Sequence, residues 1–89
     1  MFSIELVEAL REVAHHGNLT RAASAMQLSK STLSKYMTEL EAQVGVRLLH
    51  RSTRVVCLTD AGLHLLKRST ALRDLAKRIQ SELDAHAAP

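Results

Sequence analysis

Aromatic residues are nearly missing from this chain: Phe2 and Tyr36 are the whole complement, 2% of 89 residues, and there is no tryptophan. A core without rings must be filled by smaller side chains. Here Leu and Ala dominate, both good helix formers, which suits packed helices better than sheets. Cysteine is nearly missing too. One residue, Cys57, excludes an internal disulfide and fits a reducing cytosol. On a β-prone run it reads as a small buried hydrophobe. No apolar run approaches membrane-spanning length, and the N-terminus lacks the charged-then-apolar pattern of a signal peptide, so a soluble cytoplasmic protein is expected. No glycine-rich phosphate loop, no paired carboxylates and no Cys/His pair at ligand spacing occur. The five histidines are scattered. These absences argue against an enzyme, a metal site and a bound cofactor.

What is present is one small domain of 46% apolar residues, near the lower limit for a self-sufficient core. Part of its apolar surface is therefore expected to be buried on a second subunit. The net charge of +3 is unevenly spread. Residues 1–18 carry Arg11 against Glu5, Glu8 and Glu12. Residues 19–58 carry Arg21, Lys30, Lys35, Arg47, Arg51 and Arg54 against Glu39 and Glu41. A basic middle with an acidic flank is the charge pattern of a nucleic-acid contact surface.

Apolar periodicity lays out the elements. Ile4, Val7, Leu10, Val13 and Ala14 make one stripe of a helix over residues 3–16, with Ser3 as N-cap and Gly17 as the stop. His15 and His16 in its last turn suit the helix dipole; as helix neighbours they diverge too far to chelate one ion. A shorter helix over about 20–27 follows, capped by Asn18 or Thr20, with Ala22, Ala23 and Met26 inward. Ser29 then opens a third helix, about 30–43, with Leu33, Tyr36 or Met37, Leu40 and Val44 on its core side. Two short helices so tightly joined describe a helix-turn-helix, at about 19–38. Gln27 stands in the turn where glycine would be most comfortable. After Gly45, the runs 46–50 and 54–58 predict a small β-hairpin with Arg51, Ser52 and Thr53 at its tip, a basic wing. Thr59 caps a last helix to about residue 85, in which Leu58, Gly62, Leu65, Ser69, Leu72, Ala76, Ile79 and Leu83 recur at steps of four and three, a coiled-coil seam. The expected fold is mainly α: a winged helix-turn-helix over 1–58 and a long dimerising linker helix over 59–89.

The run Asn18-Leu19-Thr20-Arg21-Ala22-Ala23, then Met26-x-Leu28-Ser29, Ser34-Lys35 and Leu40-Glu41, resembles the helix-turn-helix of LysR-type transcriptional regulators. So does Gly45-Val46-x-Leu48-Leu49-x-Arg51-x-x-Arg54 leading into Leu58-Thr59-x-Ala61-Gly62. The resemblance covers about residues 3–62, and the following helix is similar to the family's linker helix. It implies sequence-specific binding of double-stranded DNA, at an inverted repeat, by a homodimer joined through that helix. It also implies an effector-binding domain in the parent protein, absent from this chain. The chain departs from the family at Leu10, Leu19 and Leu49, where phenylalanine is usual, and at Lys30, where glutamine is most often found. The last change bears on specificity, because glutamine reads adenine while lysine reaches guanine acceptors or a phosphate.

In a helix-turn-helix the N-terminal residues of the second helix lie nearest the bases. Those residues here are Ser29, Lys30, Ser31, Thr32, Ser34 and Lys35, hydroxyls and amines with no acid before Glu39. Lys30, Ser31, Ser34 and Lys35 are the candidate base-edge or nearby phosphate contacts, and Ser29 a phosphate contact at the helix N-terminus. Arg54 and Thr53 are candidates for backbone or minor groove, and Arg21 for backbone. Arg51 either meets DNA or ties the wing to Glu41; Glu41 itself reads as an internal tether. Tyr36 reads as semi-buried packing. Leu65, Ser69, Leu72, Ala76, Ile79 and Leu83 are the candidate dimer seam. Two other readings remain: a winged-helix repressor of the molybdate-responsive type, and a winged helix that binds protein. The charge on residues 29–35 and the 51–62 junction favour the LysR type.

Overall fold

The computed structural model describes residues 1–50 and 55–87. Four helices follow one another: α1 (Ile4–His16), α2 (Leu19–Ala25), α3 (Lys30–Val44) and α4 (Asp60–Ala87). The first three pack on one another into a compact head, and α4 packs on α1 alone among the helices. Leu10, Val13, Ala22, Leu33 and Leu40 are fully buried at the centre, with Val7, Ala23, Met37, Leu48 and Leu49 around them. Each fully buried leucine contributes about 1.5–3 kcal/mol relative to an exposed one. The buried face of α1 is turned from the predicted stripe: Ile4 is exposed, and Leu6 and Ala9 are buried. Both α2 and α3 press on α1, so two neighbours widen its buried face beyond one narrow line.

The helix ends follow local chemistry. Gly17 and Gly45 adopt left-handed conformations, φ 68° and 75°, and close α1 and α3 with N–H bonds to Val13 and Glu41 carbonyls. Asn18 caps α2 by accepting from the Arg21 N–H at 3.0 Å. Ser3 occupies the N-cap position of α1, but its hydroxyl donates to Glu5 at 2.8 Å rather than capping an N–H. The Glu5 backbone N–H, and then that hydroxyl, hold the Glu5 carboxyl below its ordinary value.

The turn between α2 and α3 is a Schellman closure built without glycine. The Leu28 N–H bonds the Ala23 carbonyl at 2.9 Å and the Gln27 N–H bonds that of Ser24 at 3.1 Å. Gln27 takes the left-handed position, φ 58°, the one non-glycine residue with positive φ among the described residues. Such a conformation costs a side-chain-bearing residue about 1–2 kcal/mol. Half-buried Leu28 then anchors the turn on the core.

The predicted hairpin is represented by its base. Leu49 and Leu58 form one antiparallel bridge, and the His50 N–H bonds the Cys57 carbonyl at 2.9 Å. Among the described residues the arms form no longer strand, and the tip, 51–54, lies outside them. Cys57 is exposed, not buried as its β-prone surroundings suggested. It lies beside the single Leu49–Leu58 bridge, with its side chain facing solvent.

Candidate nucleic-acid interface

The exposed side of α3 is set by its buried side. Leu33, Met37 and Leu40 are at most 2% exposed and fix the rotation of the helix about its axis. Helical spacing then turns Ser31, Lys35, Thr38 and Ala42 directly outward, and all four are exposed. Lys30 is exposed at the helix start, and Ser34 is half-buried on the flank. Thr38 lies on this face one turn beyond Lys35, and the sequence reading missed it. Its signal was available in the spacing 31, 35, 38. The Thr38 hydroxyl donates to the Ser34 carbonyl at 3.1 Å.

At the N-terminus of α3 three hydroxyls gather. The Ser29 hydroxyl accepts from the Thr32 N–H at 3.1 Å and donates to the Thr32 hydroxyl at 2.8 Å, with the Ser31 hydroxyl 3.2 Å away. Ser29 and Thr32 are thus engaged in capping, and Thr32 is half-buried. The first-turn N–H groups of Lys30 and Ser31 still point outward with no helical partner, the ordinary electropositive end of a helix. No acid lies in that first turn. Arg11 pairs with Glu8 and His16 lies 3.3 Å from Glu12, while neither Lys30 nor Lys35 meets a carboxylate among the described residues. Arg21 is exposed at the start of α2, on the same helix-turn-helix unit.

The C-terminal end of α3 is tied to the wing base. The Glu41 carboxylate accepts from the Leu48 and Leu49 N–H groups at 2.7 and 3.2 Å, an internal tether made through backbone. The Thr59 hydroxyl donates to the Arg47 carbonyl at 2.7 Å and accepts from the Gly62 N–H at 3.1 Å, capping α4. The Val56 N–H reaches the Gly17 carbonyl at 3.1 Å. The base of the wing is therefore pinned to α1, α3 and α4 at once. Arg51, Thr53 and Arg54, the wing candidates, lie outside the described residues.

The predicted seam of α4 divides in two. Ser69 is 5% exposed and hydrogen-bonded to Arg11 of α1, so it serves the chain's own interior rather than a partner helix. Leu65 and Leu72 wall an apolar groove of about 530 Å³ with Phe2, Val44, Val46 and Leu48. Beyond Ser69 every described residue of α4 is exposed, including Leu72, Ala76, Ile79 and Leu83. Leu75, which the sequence reading left out, joins them at 51% exposure. No helix among the described residues is long and apolar enough to cross a membrane, and no three His, Cys, Asp or Glu residues cluster there as metal ligands.

Comparison with known proteins agrees with this geometry. Residues 4–63 match the family described as bacterial regulatory helix-turn-helix proteins of the lysR family. The transcriptional regulator PtxR of Pseudomonas aeruginosa is 44% identical over 72 residues, which cover 81% of this chain and 21% of that protein. A hydrogen peroxide-inducible genes activator of Pectobacterium carotovorum is 39% identical over 74 residues, 82% of this chain and 24% of its own length. The chain thus spans about a fifth to a quarter of these regulators. Among solved structures, a CbnR DBD–DNA complex superposes with a TM-score of 0.89 at 32% identity, over 98% of this chain and all of that one.

Proposed function

The chain belongs to the LysR family of bacterial regulatory helix-turn-helix proteins, and from that membership we propose how its surface reads DNA. As a helix-turn-helix DNA-binding domain it acts by binding rather than by catalysis. α3 enters the major groove, with Lys30, Ser31, Lys35 and Thr38 toward the bases and Ser34 at the flank. The observation that carries this reading is the outward face of α3: amines and hydroxyls, its lysines meeting no carboxylate among the described residues, opposite a buried stripe that fixes the rotation of the helix. The Lys30 and Ser31 N–H groups, with Ser29 as cap, offer a phosphate site, and Arg21 a second backbone contact. Arg51, Thr53 and Arg54 follow as the wing's contacts to backbone or minor groove.

Residues 1–58 are the reading head and residues 59–89 the arm. The stretch of α4 beyond Ser69 is exposed throughout its described residues, and helices that long persist in proteins mainly through packing of an apolar face. A second copy supplies the same face. Leu72, Leu75, Ala76, Ile79 and Leu83 of α4 make an isologous contact beside the apolar groove, and the homodimer presents two heads to an inverted repeat. The setting of such binding is the cytoplasm. The effector and the genes controlled belong to the longer regulators of which this chain resembles one domain.

Selection from a random duplex library tests the reading. The purified chain is expected to enrich an interrupted inverted repeat. Lys30→Ala and Ser34→Ala should each change the enriched bases within the half-site, by about 1–3 kcal/mol of discrimination at the affected position. An unchanged motif in both variants would place the reading face elsewhere.

A further inference from the structure

α4 is buried at two residues, Gly62 and Ser69. Gly62 sits against the Leu48 carbonyl, so closely that a Cβ there would overlap it. Ser69, two turns on, is the last buried residue of the helix; from Thr70 to Ala87 every residue is exposed, Leu72 at the groove wall included. Beside these two buried residues Ala61, Leu65 and Leu66 pack on the core as partly buried apolar contacts, and Ser69 ends the packed stretch. At Ser69 the contact is polar. Its hydroxyl donates to the Leu66 carbonyl at 2.9 Å and accepts from the Arg11 guanidinium. The same Arg11 Nη2 lies 3.4 Å from the Leu66 carbonyl, and Arg11 is braced on its own helix by Glu8, 3.6 Å from Nε. A half-buried arginine reaching across to a buried serine and a helix carbonyl is a directed contact, unlike the apolar sliding surfaces around it.

We propose that Arg11 and Ser69 are a positioning clamp that sets the angle between α4 and the reading head, and through it the half-site separation that the dimer accepts. The inference rests on the dimeric reading given above. Its leverage is geometric. The eighteen residues from Thr70 to Ala87 extend about 27 Å at 1.5 Å per residue. A tilt of about 10° at Ser69 moves the far end by roughly 5 Å, more than the 3.4 Å separating successive base pairs. With the clamp closed, the two heads meet DNA at one separation; with it released, the angle of α4 varies and several separations become acceptable.

Ser69→Ala removes the hydroxyl, and Arg11→Met removes the guanidinium while keeping an apolar stem. Each is compared with the parent chain on duplexes whose two half-sites are separated by spacers differing in one-base-pair steps, and on a single half-site. Circular dichroism confirms folding, and if Arg11→Met does not fold, Ser69→Ala decides alone. The parent is expected to prefer one spacer about tenfold over its neighbours, and the variants by less than about threefold, with single-half-site affinity unchanged. A preference as sharp in the variants as in the parent overturns the clamp and leaves the dimer intact. An equal loss on all spacers and on the single half-site makes the pair merely structural and also overturns it. A parent that gains from a second half-site but prefers no spacer overturns the clamp alone, and a parent that binds two half-sites no better than one refutes the dimeric reading, with which the clamp falls.

Discussion

Replacing Gly62 by alanine sets two effects of known sign against each other. Alanine is the better helix former, by up to about 1 kcal/mol, and the first turn of α4, where Gly62 lies, should accept it. Yet the new Cβ would lie 2.4 Å from the Leu48 carbonyl oxygen, 3.3 Å from its carbon and 3.2 Å from Leu58 Cδ2. Ordinary contact begins at 3.4 Å, so backbone must retreat by roughly 1 Å. That carbonyl is not free to retreat. It accepts from the Thr59 N–H at 3.0 Å, and the Leu48 and Leu49 N–H groups are held by the Glu41 carboxylate. Overpacking of this kind costs about 1–3 kcal/mol, and weakening the Thr59 bond adds about 1 kcal/mol. The net expectation is a loss of about 2 kcal/mol. Urea denaturation followed by circular dichroism reads this as a midpoint lowered by about 2 M, given a slope of about 1 kcal/mol per M for a small domain. A midpoint that stays or rises would refute the argument, because helix propensity would then outweigh the close approach.

Gln27→Gly should act in the opposite direction. It removes the left-handed strain at φ 58° and is expected to raise stability by up to about 1 kcal/mol, partly offset by the greater freedom of an unfolded glycine; a lower urea midpoint would show that the Gln27 side chain contributes more than its backbone costs. Leu72→Glu places a charge at the groove edge, at the head-proximal end of the proposed dimer face. Sedimentation at micromolar concentration should shift from dimer to monomer, with the head still folded; a tight dimer surviving the change would place the interface elsewhere.

The helical part of the head was readable because each element carried both a period and a stop. Gly17, Asn18, Ser29 and Gly45 marked helix ends that the structure reproduces within about two residues. Gln27 stands at the turn position where glycine would be most comfortable, and the structure gives it a left-handed conformation; the Schellman bonds around it are not legible in the sequence. The Glu41 tether was anticipated in kind; that it grips backbone N–H groups of Leu48 and Leu49 depends on how the chain returns after Gly45, which spacing does not encode. Periodicity states which side of a helix is apolar but not what covers it. Hence Ser69 was grouped with a partner-facing seam although Arg11, 58 positions earlier, occupies it. The turned face of α1 has the same origin: Leu6 and Ala9 are buried by two neighbours whose angles of approach are tertiary facts. Cys57 is exposed because apolar neighbours in sequence do not ensure that the fold places a covering layer over them.

The central claim is that the outward face of α3 is the surface that meets the bases. It is tested most directly by recording amide NMR spectra of the isotope-labelled chain while titrating in the duplex obtained by selection. The account predicts the largest shifts at residues 29–38, smaller ones at Arg21 and in the wing, and little change at Leu6, Val7 and Ala9 of α1. Shifts centred on α1 or on the apolar groove, with residues 29–38 unmoved, would contradict it.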